Sequence, residues 1–165
     1  LDVETWRAAY AGILATPFLV GLSAPRREVG WATVIEREPR DVRVAVNGDG
    51  EIVGFGSCGR NRDSAEHTGE VFTLYVAPDW QNQGIGRALL LALFERLVAQ
   101  GCASAIIWVL RDNPGRFFYR RLGGREIRHK HFVVGGKRIE AAGYGWGDLP
   151  RYLETAARAD GRPEP

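Results

Sequence analysis

The stretch "WQNQGIGRALL" at residues 80–90 sets Gly84 and Gly86 two residues apart, directly before a leucine-rich run. Glycines so placed let a backbone close around a phosphate, and they also open ordinary helices. A Walker-type P-loop is excluded, because no Gly-Lys-Ser/Thr follows to hold a γ-phosphate and its Mg²⁺. A dinucleotide fingerprint fits poorly. Leu89 stands where close helix–strand packing wants Gly or Ala, and Gly84 lies well past Pro78 rather than at a strand tip. The residues alone leave two readings open. One is a cradle of successive backbone N–H groups at a helix start, where a partial charge of about +0.5 favours an anion without any lysine. The other is a glycine-rich helix entry with no ligand.

Stepping outward, residues 4–14 place Trp6, Tyr10, Ile13 and Leu14 at helical spacing, and Thr16-Pro17 starts a short second turn. A further amphipathic piece over 25–36 stops before Pro39. The period then becomes two. "DVRVAV" alternates, "NGDG" signals a tight turn, and "EIVGFGSC" is the return strand. "GRNRDSAEHTG" is a polar loop, and "EVFTLYVAP" is a strand ended by Pro78. Residues 83–100 read as the longest helix, with Leu89, Leu90, Leu93, Phe94, Leu97 and Val98 in one stripe and Gly101 as its stop. "CASAIIWVL" has the continuous apolar character of a strand buried on both faces. A short helix from Asn113-Pro114 to Leu122 and two strands joined by Gly135-Gly136 complete the pattern. This order predicts an α/β fold with a mixed central sheet flanked by helices. Residues 1–148 form one expected domain, and the Ala/Arg/Pro-rich residues 149–165 are expected to be a frayed tail.

The 165 residues suit one domain, and the 45% hydrophobic and 25% charged fractions are those of an ordinary soluble protein. The small net charge of +2, carried by scattered arginines, argues against a nucleic-acid partner. No apolar run approaches the roughly 20 residues of a membrane span, so no membrane partner is expected. Cys58 and Cys102 are too few for a disulfide framework or a metal cage, and both sit in apolar stretches. A reducing, cytoplasmic location is the expectation. The chain has no methionine and opens at Leu1, which leaves what precedes it in the natural protein open.

Taken in order, the strand before Pro78, Gln81-x-x-Gly84-x-Gly86, the long helix, the buried strand, Asn113 and Tyr119 in "NPGRFFYRRLGG" resemble the GNAT family of N-acetyltransferases. The resemblance runs over roughly residues 43–148, and "WRAAYAGIL" is similar to bacterial members. Two departures stand out. The family begins with a strand before its first helix, and this chain starts in or near that helix, so the first strand is expected to be absent. The aromatic residue that closes the family's later motif is replaced in Gly123-Gly124-Arg125.

The resemblance implies transfer of acetyl from acetyl-CoA, as co-substrate, to a primary amine of a small molecule or peptide, with no metal. It implies that Gln81, Asn82, Gln83, Gly84, Gly86 and Arg87 hold the CoA pyrophosphate, mostly through main-chain N–H groups. Leu74 and Val76 would pair their backbone with the pantetheine arm, and a backbone N–H near Val76 would stabilise the oxyanion. Asn113 would fix a pantetheine amide, a role compatible with capping the helix at Pro114. Tyr119 is the expected acid, because a phenol keeps its proton at neutral pH. Glu70 is the expected base, with His129 and His131 as lesser candidates. Trp6, Tyr10, Trp31 and Tyr144 are the aromatic candidates for an acceptor pocket built from the N-terminal helices and the last hairpin. The resemblance equally accommodates a CoA-binding module without turnover. It also allows a homodimer, since late strands in such folds often pair between subunits.

Overall fold

The computed structural model describes residues 1–63 and 67–161. Residues 64–66 of the expected polar loop and 162–165 of the expected tail lie outside the described residues. Three helices come first, α1 (Asp2–Ala9), α2 (Thr16–Val20) and α3 (Ala24–Arg37). Helix α1 ends earlier than its apolar spacing suggests. Gly12, at φ +77°, turns the chain, and Leu14 is then buried as part of a loop rather than a helix.

Strands β1 (Val42–Val46), β2 (Ile52–Arg60) and β3 (Gly69–Val76) follow, then helix α4 (Ile85–Ala99) and strand β4 (Ala105–Leu110). Helix α5 (Arg116–Arg121), strands β5 (Arg125–Val134) and β6 (Lys137–Trp146), and helix α6 (Leu149–Ala159) complete the chain. The strands form one six-stranded sheet in the order β1-β2-β3-β4-β6-β5, antiparallel everywhere except between β3 and β4. That one parallel pair is bridged by α4, because a parallel return needs a crossover. Among the described residues the first element is α1.

The main core lies between the sheet and α4. Leu90, Leu93, Phe94 and Leu97 are at most 1% exposed, and burying each contributes about 1.5–3 kcal/mol. Gly56 on β2 admits this close approach, since a Cβ there would sit 2.7 Å from Leu93 Cδ1. On the opposite face Tyr10, Leu14 and Leu19 pack on Leu110 and Ala141 in a second, smaller core. Helix α3 buries no residue fully, and Trp31 is its anchor, edge-on to Phe55 at 5.3 Å.

Where a frayed tail was expected, residues 149–159 form a docked helix. Asp148 caps α6 by accepting the Arg151 N–H at 3.0 Å, with Pro150 in the first turn. Leu149 is fully buried, and Tyr152 packs edge-on against Phe94 at 5.7 Å. Leu149, Tyr152, Leu153 and Ala156 carry a helical period that the Ala/Arg-rich composition obscures. Among the described residues no helix is long and apolar enough to cross a membrane. Leu149→Ala is expected to cost about 2–4 kcal/mol of stability, read as a lowered urea midpoint; a change below about 1 kcal/mol would mean α6 is not docked as described.

Candidate active site

Strands β3 and β4 pair only at Gly69–Ala105, Glu70–Ile106 and Val71–Ile107. Past that point β3 carries a bulge. Ser57 faces Thr73 and Cys58 faces Val71, so Phe72 is an extra residue that bends the strand. A gap opens in the middle of the sheet. The β2–β3 ladder decides what faces it. Ala77 N–H donates to Val53 O at 2.8 Å, which turns the backbone of Ala77 and Tyr75 toward β2. Leu74 and Val76, one residue out of phase, turn theirs toward the gap. There the Val76 carbonyl accepts a hydrogen bond from Gln81 Nε2 at 3.0 Å.

The gap opens into two lobes that share Leu74, Val76, Gln81, Pro114, Gly115 and Tyr119 as walls. The first, of about 550 Å³, is walled by Asn82, Gly84, Gly86, Arg87, Phe118 and Arg121. The second, of about 390 Å³, reaches beneath α1 to Thr5 and Tyr10 and across to Trp108.

The first lobe is rich in unpaired backbone donors. Asn82 and Gly84 both adopt left-handed backbone, at φ +61° and +81°. The first intrahelical bond of α4 runs from Ala88 N–H to Gly84 O at 3.0 Å, and no side chain caps the helix. The N–H groups of residues 82–87 therefore find no acceptor among the described residues. Successive unpaired donors at a helix start, with the helix dipole behind them, are the elements of a phosphate nest. The two glycines serve different needs. Gly84 supplies the positive φ and has open space at its Cβ position, whereas a Cβ on Gly86 would lie 3.1 Å from Phe118 Cζ. Gly86 is thus held small by packing as well as by the lobe. Arg87 lines the lobe while its Nη1 pairs with Asp160 at 2.8 Å. Gln83 instead turns its side chain back to the Asp79 carbonyl and lines neither lobe.

Tyr119 stands at the junction. Its ring is stacked behind by Tyr144 at 6.3 Å, and none of the described residues hydrogen-bonds its hydroxyl. Burial, then the nearby Tyr10, pushes the phenol far above its ordinary range, so it stays protonated. The Asn113 Oδ1 accepts the Gly115 N–H at 2.8 Å, closing the turn that leads into α5. Helix α5 itself is capped at Gly115, not at Asn113. The Tyr10 and Tyr75 hydroxyls meet at 2.9 Å in the second lobe.

Glu70 is not brought into this arrangement. It is 3% exposed, and its carboxylate accepts Arg62 Nη2 at 2.6 Å, Arg62 Nε at 3.2 Å and the Arg62 backbone N–H at 3.3 Å. It lines neither lobe. His129 sits on exposed β5 between Glu126 and Glu140, and His131 faces Arg138. Of the four aromatic candidates only Tyr10 lines a lobe. Trp6 backs Tyr10 at 4.9 Å, Trp31 packs on Phe55, and Tyr144 is buried with its hydroxyl donating to Glu126. The last hairpin contributes no wall; β4 does, through Trp108. Sequence reasoning passes over Tyr75, Trp108 and Arg121. Tyr75 obeys the alternation of β3, lying on the face opposite Leu74 against Trp6 and Tyr10, and its place in the lobe comes from the helix packed over it. Nothing in "CASAIIWVL" singles out Trp108. Among the described residues no group of acidic, His or Cys side chains could hold a metal, and burial pushes the Cys58 thiol up to about 12.

The sequence model described as Acetyltransferase (GNAT) family matches residues 7–124, and the chain belongs to that family. An uncharacterized N-acetyltransferase, YuaI of Bacillus subtilis (strain 168), is 33% identical over 150 residues, 90% of this chain and 85% of the relative. A ribosomal-protein-alanine N-acetyltransferase from Brucella melitensis superposes with a TM-score of 0.66 at 23% identity, over 88% of this chain and 91% of that one. The yncA acetyltransferase of Salmonella typhimurium, solved with its cofactor acetyl-CoA, gives 0.62 at 18% identity, over 90% and 86%.

Because Gly84 is fixed by its backbone angle, Gly84→Ala is expected to cost about 1–2 kcal/mol in urea unfolding, and Gly84→Asn distinctly less, since Asn tolerates left-handed backbone. Equal costs would show that space, not φ, fixes the glycine.

Proposed function

We propose that this chain transfers the acetyl group of acetyl-CoA to a primary amine, directly and without a covalent acetyl-enzyme. The observation that carries the reading is a continuous groove. It starts at unpaired N–H groups suited to a pyrophosphate, runs along β3 backbone left without a strand partner, and ends at a protonated tyrosine. Asn82, Gly84, Gly86 and Arg87 hold the pyrophosphate end, and Gln81 fixes the loop by its bond to Val76 O. Leu74 and Val76 offer backbone to the pantetheine amides, with Asn113 on the opposite wall. The Val76 N–H faces the thioester carbonyl and stabilises the oxyanion. Acetyl-CoA in a solved neighbour of the same fold supports this occupant.

In the reaction the amine nitrogen attacks the thioester carbonyl, the C–S bond breaks, and one proton passes from nitrogen to sulfur. The Tyr119 hydroxyl donates to the departing sulfur. Its raised pKa returns it to the phenol form in each turnover. Glu70, held by Arg62, is assigned to positioning the start of β3 rather than to meeting the amine.

Calorimetric titration with acetyl-CoA, followed by free-thiol release over a panel of amines, tests the reading. Binding with thiol release is expected; no binding removes it, and binding without release on any amine turns it into a CoA-binding module. Tyr119→Phe should lower kcat by about 10²–10⁴-fold with cofactor affinity nearly unchanged. Glu70→Gln should leave kcat close to the parent and lower stability by about 1–3 kcal/mol instead. A kcat loss like that of Tyr119→Phe would return Glu70 to the role of base.

A further inference from the structure

The second lobe, where the acceptor must enter, is walled among the described residues by no Asp, Glu, His, Lys or Arg. Its polar groups are hydroxyls and amides, chiefly Thr5, Tyr10, Thr73, Tyr75 and Asn113. The charged groups behind its walls are already paired. Lys130 Nζ lies 4.0 Å from the Trp108 ring centre and pairs with Asp63, and Asp2, whose charge reaches Tyr75, pairs with Arg27 over Trp6 behind Tyr10. An ammonium ion entering here loses its water and gains no counter-charge, a cost that neutralisation avoids. The tyrosines offer no base. Burial raises Tyr10, Tyr75 and Tyr119 alike above the ordinary phenol range.

A second observation concerns what accompanies the amine. The Trp108 indole N–H is buried and donates to nothing, although Trp108 lines the lobe. An unmade hydrogen bond of this kind is costly, and a ligand carbonyl is the group that relieves it.

Resting on the acetyl-transfer reading above, we propose that the acceptor is a weakly basic amine with a carbonyl beside it, the α-amine of an aminoacyl or peptidyl group. Strongly basic amines, such as lysine side chains and polyamines, are disfavoured because they must first give up a tightly held proton. The amine enters neutral. Its nitrogen bonds to the acetyl carbon, the C–S bond breaks, and its surplus proton reaches the sulfur through Tyr119.

Ordinary α-amino and lysine pKa values, near 7.7–8.0 and 10.4, give neutral fractions at pH 7 that differ by roughly 10²–10³-fold. The test compares a tripeptide amide with a free α-amine, an Nα-acetylated lysine peptide, spermidine and an aniline, each from pH 6 to 10. The α-amine is expected to lead the lysine peptide by about 100-fold or more in kcat/KM at pH 7. Across this range the tripeptide profile should level off near the pKa of its α-amine, the lysine and spermidine profiles should still be rising, and the aniline profile should be flat. Trp108→Phe should raise KM about three- to tenfold for the tripeptide and distinctly less for the aniline, which carries no carbonyl. Preference for lysine or spermidine, an inflection at one pH for every acceptor, no transfer to the tripeptide, or a Trp108→Phe effect equal for tripeptide and aniline each overturns the proposal. Absence of acetyl-CoA binding overturns the parent reading and this one together. Binding with the wrong acceptor preference overturns this one alone.

Discussion

The parallel pairing of β3 with β4 stops at Val71 and Ile107, and much of the rest of the molecule follows from that stop. A sheet interrupted at its centre leaves polar backbone facing a gap, which a protein interior does not leave unsatisfied without cost. The bulge at Phe72 starts the divergence, and α4 spans the parallel pair from behind. One exposed carbonyl, that of Val76, is met by Gln81 from the loop that also builds the nest. The remaining edge has the pattern of a strand awaiting a strand-like partner. The gap and the nest are therefore one device, because the same loop closes the first and forms the second.

Glycine does two kinds of work around that device. Gly84 is required by a backbone angle, and Gly86 and Gly56 by proximity, one under Phe118 and one under Leu93. A sequence pattern cannot tell these apart. Both appear as a missing side chain, and the difference is visible only when the neighbouring ring or leucine has been placed.

Much of the fold was legible because its signals are local. The stripe on α4, the alternation of β1 and β2, the tight turn between them and the continuous apolar β4 each fit within one element. The nest was legible for the same reason, since it occupies a single loop. What the sequence concealed depends on long-range geometry. The partnership of Glu70 with Arg62 joins residues on either side of a loop whose conformation no periodicity encodes. The Tyr10–Tyr75 contact joins the first helix to a central strand. The orphaned indole of Trp108 emerges only from packing. Helix α6 was hidden differently, its period present but diluted by Ala and Arg.

The small core under α1 and α2 separates the two ends of the groove along the chain. The loop of unpaired donors and the β3 edge lie within residues 74–87, whereas Thr5, Ala8, Ala9 and Tyr10 wall the second lobe. Helix α3, which buries nothing fully, links that wall to the sheet without sharing the main core. Substitutions in the first helices can therefore reshape the second lobe without touching the leucine stripe of α4 or the loop that walls the first.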